Sequence, residues 1–204
     1  AAAEEKGYGV IIDPYSFFWS SLTWTGPQSI HNGIFLERFT AAMVALAKRY
    51  AERSCVIGLF ATPHTGICSF SVDDSEFGRQ AWRTACEGRL SLPEAQTRYG
   101  LELTRWEDLP LPQEDPAQKY NVGPLWHDYL AFHWATYQGF LRTVIRAIRD
   151  VTPTMPIFLR GPYLDVAVNM ALAAEFEGVS PHIECMETTT DTEGYFRSHG
   201  LRFG

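Results

Sequence analysis

Residues Phe35 to Gly66 read FLERFTAAMVALAKRYAERSCVIGLFATPHTG, and the fold turns on the change of period inside this stretch. Phe35, Phe39, Ala42, Leu46 and Tyr50 recur three or four residues apart, a spacing that gathers apolar side chains on one side of an α-helix. From Ser54 to Thr62 (SCVIGLFAT) the polar interruptions cease and the run has the length of a strand, halting at Pro63-His64-Thr65-Gly66. A continuous apolar strand of this kind belongs to a parallel sheet with both faces covered.

Working outward, Gly7 to Tyr15 (GYGVIIDPY) is a second short β-branched run, read as a buried parallel strand and stopped at Asp13-Pro14, where proline removes a ladder donor. The loop SFFWSSLTWTGPQSIHNG leads from it to the helix, so the order is strand, helix, strand, and a parallel crossover follows. Beyond Gly66, Asp73-Asp74-Ser75 suits a solvated helix start, and Phe77, Ala81, Trp82 and Ala85 mark the next helix. Ser91-Leu92-Pro93-Glu94 opens a short one, with proline in its first turn. The stretch LPLPQEDPAQKYNVGP, Leu109 to Pro124, is a surface excursion. Between Trp126 and Asp150, His133, Tyr137, Phe140, Leu141, Val144 and Ile148 share one face of a long helix. Pro156 to Arg160 (PIFLR) is a strand, Asp165 to Glu177 an alanine-rich helix and His182 to Glu187 (HIECME) a further strand.

This alternation predicts an α/β fold with parallel strands covered by helices, either an open sheet or a partial or complete (β/α)8 TIM barrel. The 204 residues, 46% of them hydrophobic, are enough for one core and too few for two domains. A net charge of −7 without a concentrated basic face excludes nucleic acid as the expected partner. No stretch approaches the roughly 20 apolar residues that span a bilayer, and Ala1 to Lys6 lacks the order of a signal peptide, so no membrane partner is expected. Cys55, Cys68, Cys86 and Cys185 form no CxxC pair and are read as buried free thiols. Without such a pair no metal is expected, and with no GxGxxG or GxxxxGK[ST] after any strand no cofactor is expected.

Phe35 to Gly66 resembles the region of clan A glycoside hydrolases in which a helix ending in an "RY" pattern leads into the fourth barrel strand, and GVIIDPY looks like their third. Leu92 to Arg160 resembles the family 42 β-galactosidases. The matching pieces are Arg98-Tyr99-Gly100, Trp106-Glu107-Asp108, Trp126-His127-Asp128 with Phe132, and Ala147-Ile148-Arg149 through Pro153 and Pro156, in that order. The resemblance implies a single barrel domain over residues 1–204, incomplete at both ends, because a full barrel takes about 250 residues and the first two strands are missing. Other residues, in a longer chain or a second copy, would then complete it.

The same resemblance implies a hydrolase acting on a β-linked galactoside or similar carbohydrate, with His64 standing where the family carries its acid/base glutamate. Retaining hydrolysis needs a carboxylic acid and a second carboxylate about 5 to 5.5 Å apart, and imidazole can donate a proton near neutral pH. Two readings stand for the second carboxylate: the chain ends before the seventh strand that would supply it, or Glu187 is the nucleophile. Glu184 and Glu187 fall on opposite sides of an alternating strand, and Glu187 is nearer its carboxyl end. For substrate binding, Asp13 ends a strand where barrel enzymes place site residues, or else caps a loop. Trp19 and Trp24 are stacking platforms for sugar rings or packing wedges. Arg160 offers a planar fork of donors to a ligand or a salt bridge to a neighbouring strand. The alternative function is a noncatalytic carbohydrate-binding or structural relative of the same barrel, which the missing Asn-Glu favours. A third reading is an unrelated open α/β protein.

Overall fold

The computed structural model describes residues 2–13, 29–61, 72–112, 123–160 and 181–184. A single turn of helix, α1 (Ala2–Glu5), precedes β1 (Val10–Ile12). Then follow α2 (Gly33–Tyr50), β2 (Val56–Phe60), α3 (Glu76–Glu87) and α4 (Leu92–Tyr99). A 3-10 turn at Trp106–Asp108, the long α5 (Pro124–Val151), β3 (Ile157–Arg160) and β4 (Pro181–Glu184) complete the order. The expected helix from Asp165 to Glu177 and the end of the HIECME strand beyond Glu184 lie outside the described residues.

The four strands are parallel and lie in the order β1-β2-β3-β4. That order separates the two architectures left open by sequence pattern. A doubly wound sheet reverses direction at a switch point, whereas each strand here is added beside its predecessor, as around a barrel.

Helices α2, α3 and α4 begin where local chemistry can satisfy their first amides. The Asn32 side chain accepts from the Ile34 amide at 3.0 Å, and Ser75 Oγ accepts from Gly78 at 3.1 Å. Glu94 reaches back to the Ser91 amide at 2.7 Å, and Gly100 ends that helix with φ 65°. At the other end of α5, Arg149 donates through Nη1 to the carbonyls of Thr152, Pro153 and Met155, fixing the turn into β3. The "AIR..P..P" piece of the sequence is thus a helix-end clamp.

Two apolar clusters form. One packs α2 and α5 on the sheet, with Phe35, Phe39 and Phe140 meeting at ring separations of 5.4 to 5.8 Å and Leu59 and Ile157 beneath them. The other gathers Trp82, Cys86, Ala95, Leu103, Leu109 and Tyr129 around α3, α4 and the beginning of α5. With 28 residues, α5 is about 42 Å long, enough for its first half to serve the second cluster and its second half the first.

Several details differ from expectation. The buried stripe of α2 is Phe35, Phe39, Met43 and Ala47, with Ala42, Leu46 and Tyr50 flanking it, because a helix wedged against both the sheet and α5 buries the middle of its apolar arc most deeply. In α3 the buried line is Gly78, Trp82 and Cys86, while Phe77 is exposed. β1 is not a buried strand: it is the edge of the described sheet, and Ile11 is 37% exposed. Cys86 is buried as expected, but Cys55 is only half-buried.

Candidate site at the carboxyl ends of the strands

Parallel strands followed by helices bring all strand ends and helix starts to one side of the sheet, where barrel folds carry their sites. Asp13 follows β1 directly and is exposed there. Arg160 is the last residue of β3 and Glu184 the last of β4, and the two are register partners. The ends of β3 and β4 therefore carry one arginine and one carboxylate at paired register positions. His64, Glu187, Trp19 and Trp24 lie outside the described residues.

Behind the strand ends, the segments entering α2 and α3 are tied to α5 by a polar knot. Ser29 Oγ donates to Asp73 Oδ2 at 2.6 Å and accepts from the His31 amide at 3.0 Å. The Asp73 carboxylate also takes the Ser75 amide at 3.0 Å, and its own amide donates to the Tyr129 hydroxyl of α5 at 2.8 Å. Gly78 makes this possible, since a Cβ there would lie 2.3 Å from the Asp73 carbonyl. The solvated helix start expected at Asp73-Asp74 thus holds for Asp74, which is exposed; Asp73 turns inward, where its carboxylate accepts from Ser29 and Ser75 and its amide donates to Tyr129. His31 stacks on Phe132 with ring centroids 4.9 Å apart, and His133 stands edge-on to it at 6.2 Å. Desolvation lowers the pKa of both imidazoles, that of His133 to about 4, the nearby His31 adding to the fall and Asp73 opposing it.

The knot is not a hydrolytic triad. The Ser29 hydroxyl is engaged by the carboxylate itself, and His31 Nε2 lies 4.0 Å from Asp73, beyond hydrogen-bond reach. Nor do the described residues contain three or more His, Cys, Asp or Glu side chains arranged to hold a metal ion. Its chemistry is that of positioning: it joins the residues that follow, in chain order, the two stretches carrying Trp19, Trp24 and His64.

A second polar centre joins α4 to α5. Arg98 grips Asp128 with both prongs, Nε to Oδ2 at 2.6 Å and Nη2 to Oδ1 at 2.8 Å, and Tyr99 adds a hydroxyl donor at 3.0 Å. Arg89 approaches the same carboxylate at 3.4 Å, and Arg98 holds the Asp128 carboxyl below its usual pKa. The Arg98-Tyr99-Gly100 and Trp126-His127-Asp128 pieces are therefore two halves of one contact. Sequence reasoning grouped them by resemblance without seeing that they touch. It also missed the knot, although a histidine on the apolar stripe of α5 and an aspartate two residues before a serine cap were its available signals.

No protein-family model matches the chain, and no curated protein is significantly similar to it in sequence. Solved structures do match. A β-galactosidase from the psychrophilic Marinomonas ef1 superposes with a TM-score of 0.60 at 11% identity, over 91% of this chain and 31% of that one. A family 42 β-galactosidase from G. stearothermophilus gives 0.54 at 14% identity, over 77% and 24%. The catalytic domain of a β-amylase from Paenibacillus polymyxa gives 0.57 at 14%, over 82% and 55%. The chain spans about a quarter to a third of the length of these galactosidases. It folds, accordingly, as an arc of a (β/α)8 barrel like that of these solved structures.

Proposed function

We propose that the chain is the middle of one barrel domain whose mouth takes a β-linked galactoside or similar carbohydrate, and that the barrel is completed by further residues of a longer chain or by a second copy. The observation that carries this reading is the sequential parallel order of the strands, with Asp13, Arg160 and Glu184 at their carboxyl ends. The β-galactosidase names of similar structures support the choice of sugar. In this reading Trp19 and Trp24 stack on the sugar, Asp13 and Arg160 bond its hydroxyls, His64 protonates the leaving oxygen and Glu187 is the attacking carboxylate.

Binding without turnover is the second reading, favoured by Pro63-His64 where the resemblance places Asn-Glu. The discriminating experiment follows release of nitrophenol from nitrophenyl β-galactoside by the full chain, alongside calorimetric titration with galactose and β-linked galactosides. Turnover abolished in both His64→Ala and Glu187→Gln supports hydrolysis by these two groups. Binding weakened by Trp19→Ala or Trp24→Ala without any turnover supports the second reading. Neither turnover nor binding overturns both.

A further inference from the structure

His31 and His133 sit at the seam between the two apolar clusters, and three of their ring nitrogens are left without hydrogen bonds among the described residues. The His31 side chain is 1% exposed and His133 is 2% exposed. Among the described residues, neither ring nitrogen of His133 nor Nε2 of His31 finds a hydrogen-bond partner. A buried polar group left unbonded is destabilising, so such a pair calls for a physical account.

We propose that His31 and His133 form an acid-sensitive joint, in which proton uptake by the pair loosens the first half of α5 from the segments that enter α2 and α3.

The groups around the pair decide how much charge the joint can hold. From the segment entering α2 comes His31 itself; from the segment entering α3 come Asp73 and the exposed Asp74; from α5 come Tyr129, whose ring lies 6.2 Å from that of His133, and His133. Asp73 is the compensating anion, 4.0 Å from His31 Nε2 and already accepting from Ser29 and Ser75. One carboxylate offsets one imidazolium. A second proton, on His133, would lie beside a like charge and against the rings of Trp134 and Tyr129, with no bond to stabilise it. Opening the joint hydrates both rings and removes that penalty.

The direction follows from linkage. Closed, the joint leaves His133 neutral down to about pH 4, whereas an opened, hydrated histidine takes a proton near 6.5. Well above pH 6.5 neither form is protonated and the closed joint keeps its full stability; as pH falls through 6.5 and down to about 4, the open form gains. Between pH 7 and 5, still above the range where most carboxylates titrate, His133 alone raises the opening equilibrium about 20-fold.

Hydrogen–deuterium exchange of the full chain, corrected for intrinsic pH dependence, reads this directly. The expected result is a roughly 20-fold rise in opening at residues 126–134 between pH 7 and 5, with residues 140–148 much less affected. His133→Phe, which keeps a ring in the seam and removes the proton site, should flatten the response. An equal response in the two proteins, or a uniform rise along α5, overturns the proposal. If His133→Phe does not fold, imidazole proton shifts of the wild-type chain decide: protonation of either histidine with no change in the amides of residues 126–134 overturns it, and linked changes support it.

Discussion

Replacing Asp128 by asparagine tests whether the contact between α4 and α5 is an electrostatic joint or merely a packing one. The side chain keeps its shape, loses its charge, and turns one of its two acceptor ends into a donor facing a guanidinium. In the native chain that carboxylate, 8% exposed, accepts two bonds from Arg98 and one from Tyr99, with Arg89 at 3.4 Å. Buried hydrogen bonds to a charged group contribute about 1.5 to 3 kcal/mol each, but the arginine side chains are 48% and 47% exposed and regain water when released. The contribution therefore moves toward that of a surface pair, and a net loss of about 2 kcal/mol is the reasoned value. For a chain of this size that corresponds to a fall in Tm of about 4 to 8 °C.

Denaturant melts of wild type, Asp128→Asn, Arg98→Met and the double variant measure the loss and its coupling. The pH dependence adds an independent sign. Arg98 lowers the carboxyl pKa in the folded chain, so the stabilisation is present above the unfolded value near 3.9 and fades as pH drops below it. The gap between wild type and Asp128→Asn should accordingly narrow toward pH 3. A loss under about 0.5 kcal/mol at pH 7, or additive single and double variants, would refute the electrostatic account.

Two further substitutions probe the barrel arc itself. Gly58→Ala in β2 would set a Cβ 2.0 Å from the Phe158 ring and 2.9 Å from the Pro156 carbonyl; a loss of about 3 kcal/mol is expected, part of it recovered with Phe158→Leu. Arg149→Ala removes the donor shared by three carbonyls between α5 and β3, and a loss of about 2 kcal/mol in urea unfolding is expected, with Arg149→Lys recovering part of it because all three bonds come from the single nitrogen Nη1 and an ammonium also offers three donors.

Much of the architecture was legible along the chain. The helical stripe of α5, from His133 through Tyr137, Phe140, Leu141 and Val144 to Ile148, is buried as its spacing implies. Ser75 caps α3, and Ser91 with Glu94 begins α4, because capping depends on residues within one turn of each other. The apolar runs around Val56–Phe60 and Ile157–Arg160 are parallel strands, as their length and apolar character imply, although Ile57, 49% exposed, leaves β2 covered on both sides only toward its carboxyl end. The family resemblance, pieced together from short segments, pointed to the barrel that the strand order confirms.

What the chain pattern left open depends on distances between residues far apart in sequence. Ser29 and Asp73 are 44 positions apart, Arg98 and Asp128 thirty, and no period or local propensity encodes such meetings. Asp73 reads as an ordinary solvated residue before a helix until the segment entering α2 is laid beside it and α5 crosses behind. His133 reads as one more position on an apolar stripe until His31 is found against it. Local sequence determined which segments became helices and strands, because their hydrogen bonds and caps close within a few residues. Only the tertiary structure decided which polar side chains are buried together, because that depends on which helices share a seam, and the desolvation and pairing that set their charge exist only once the seam has formed.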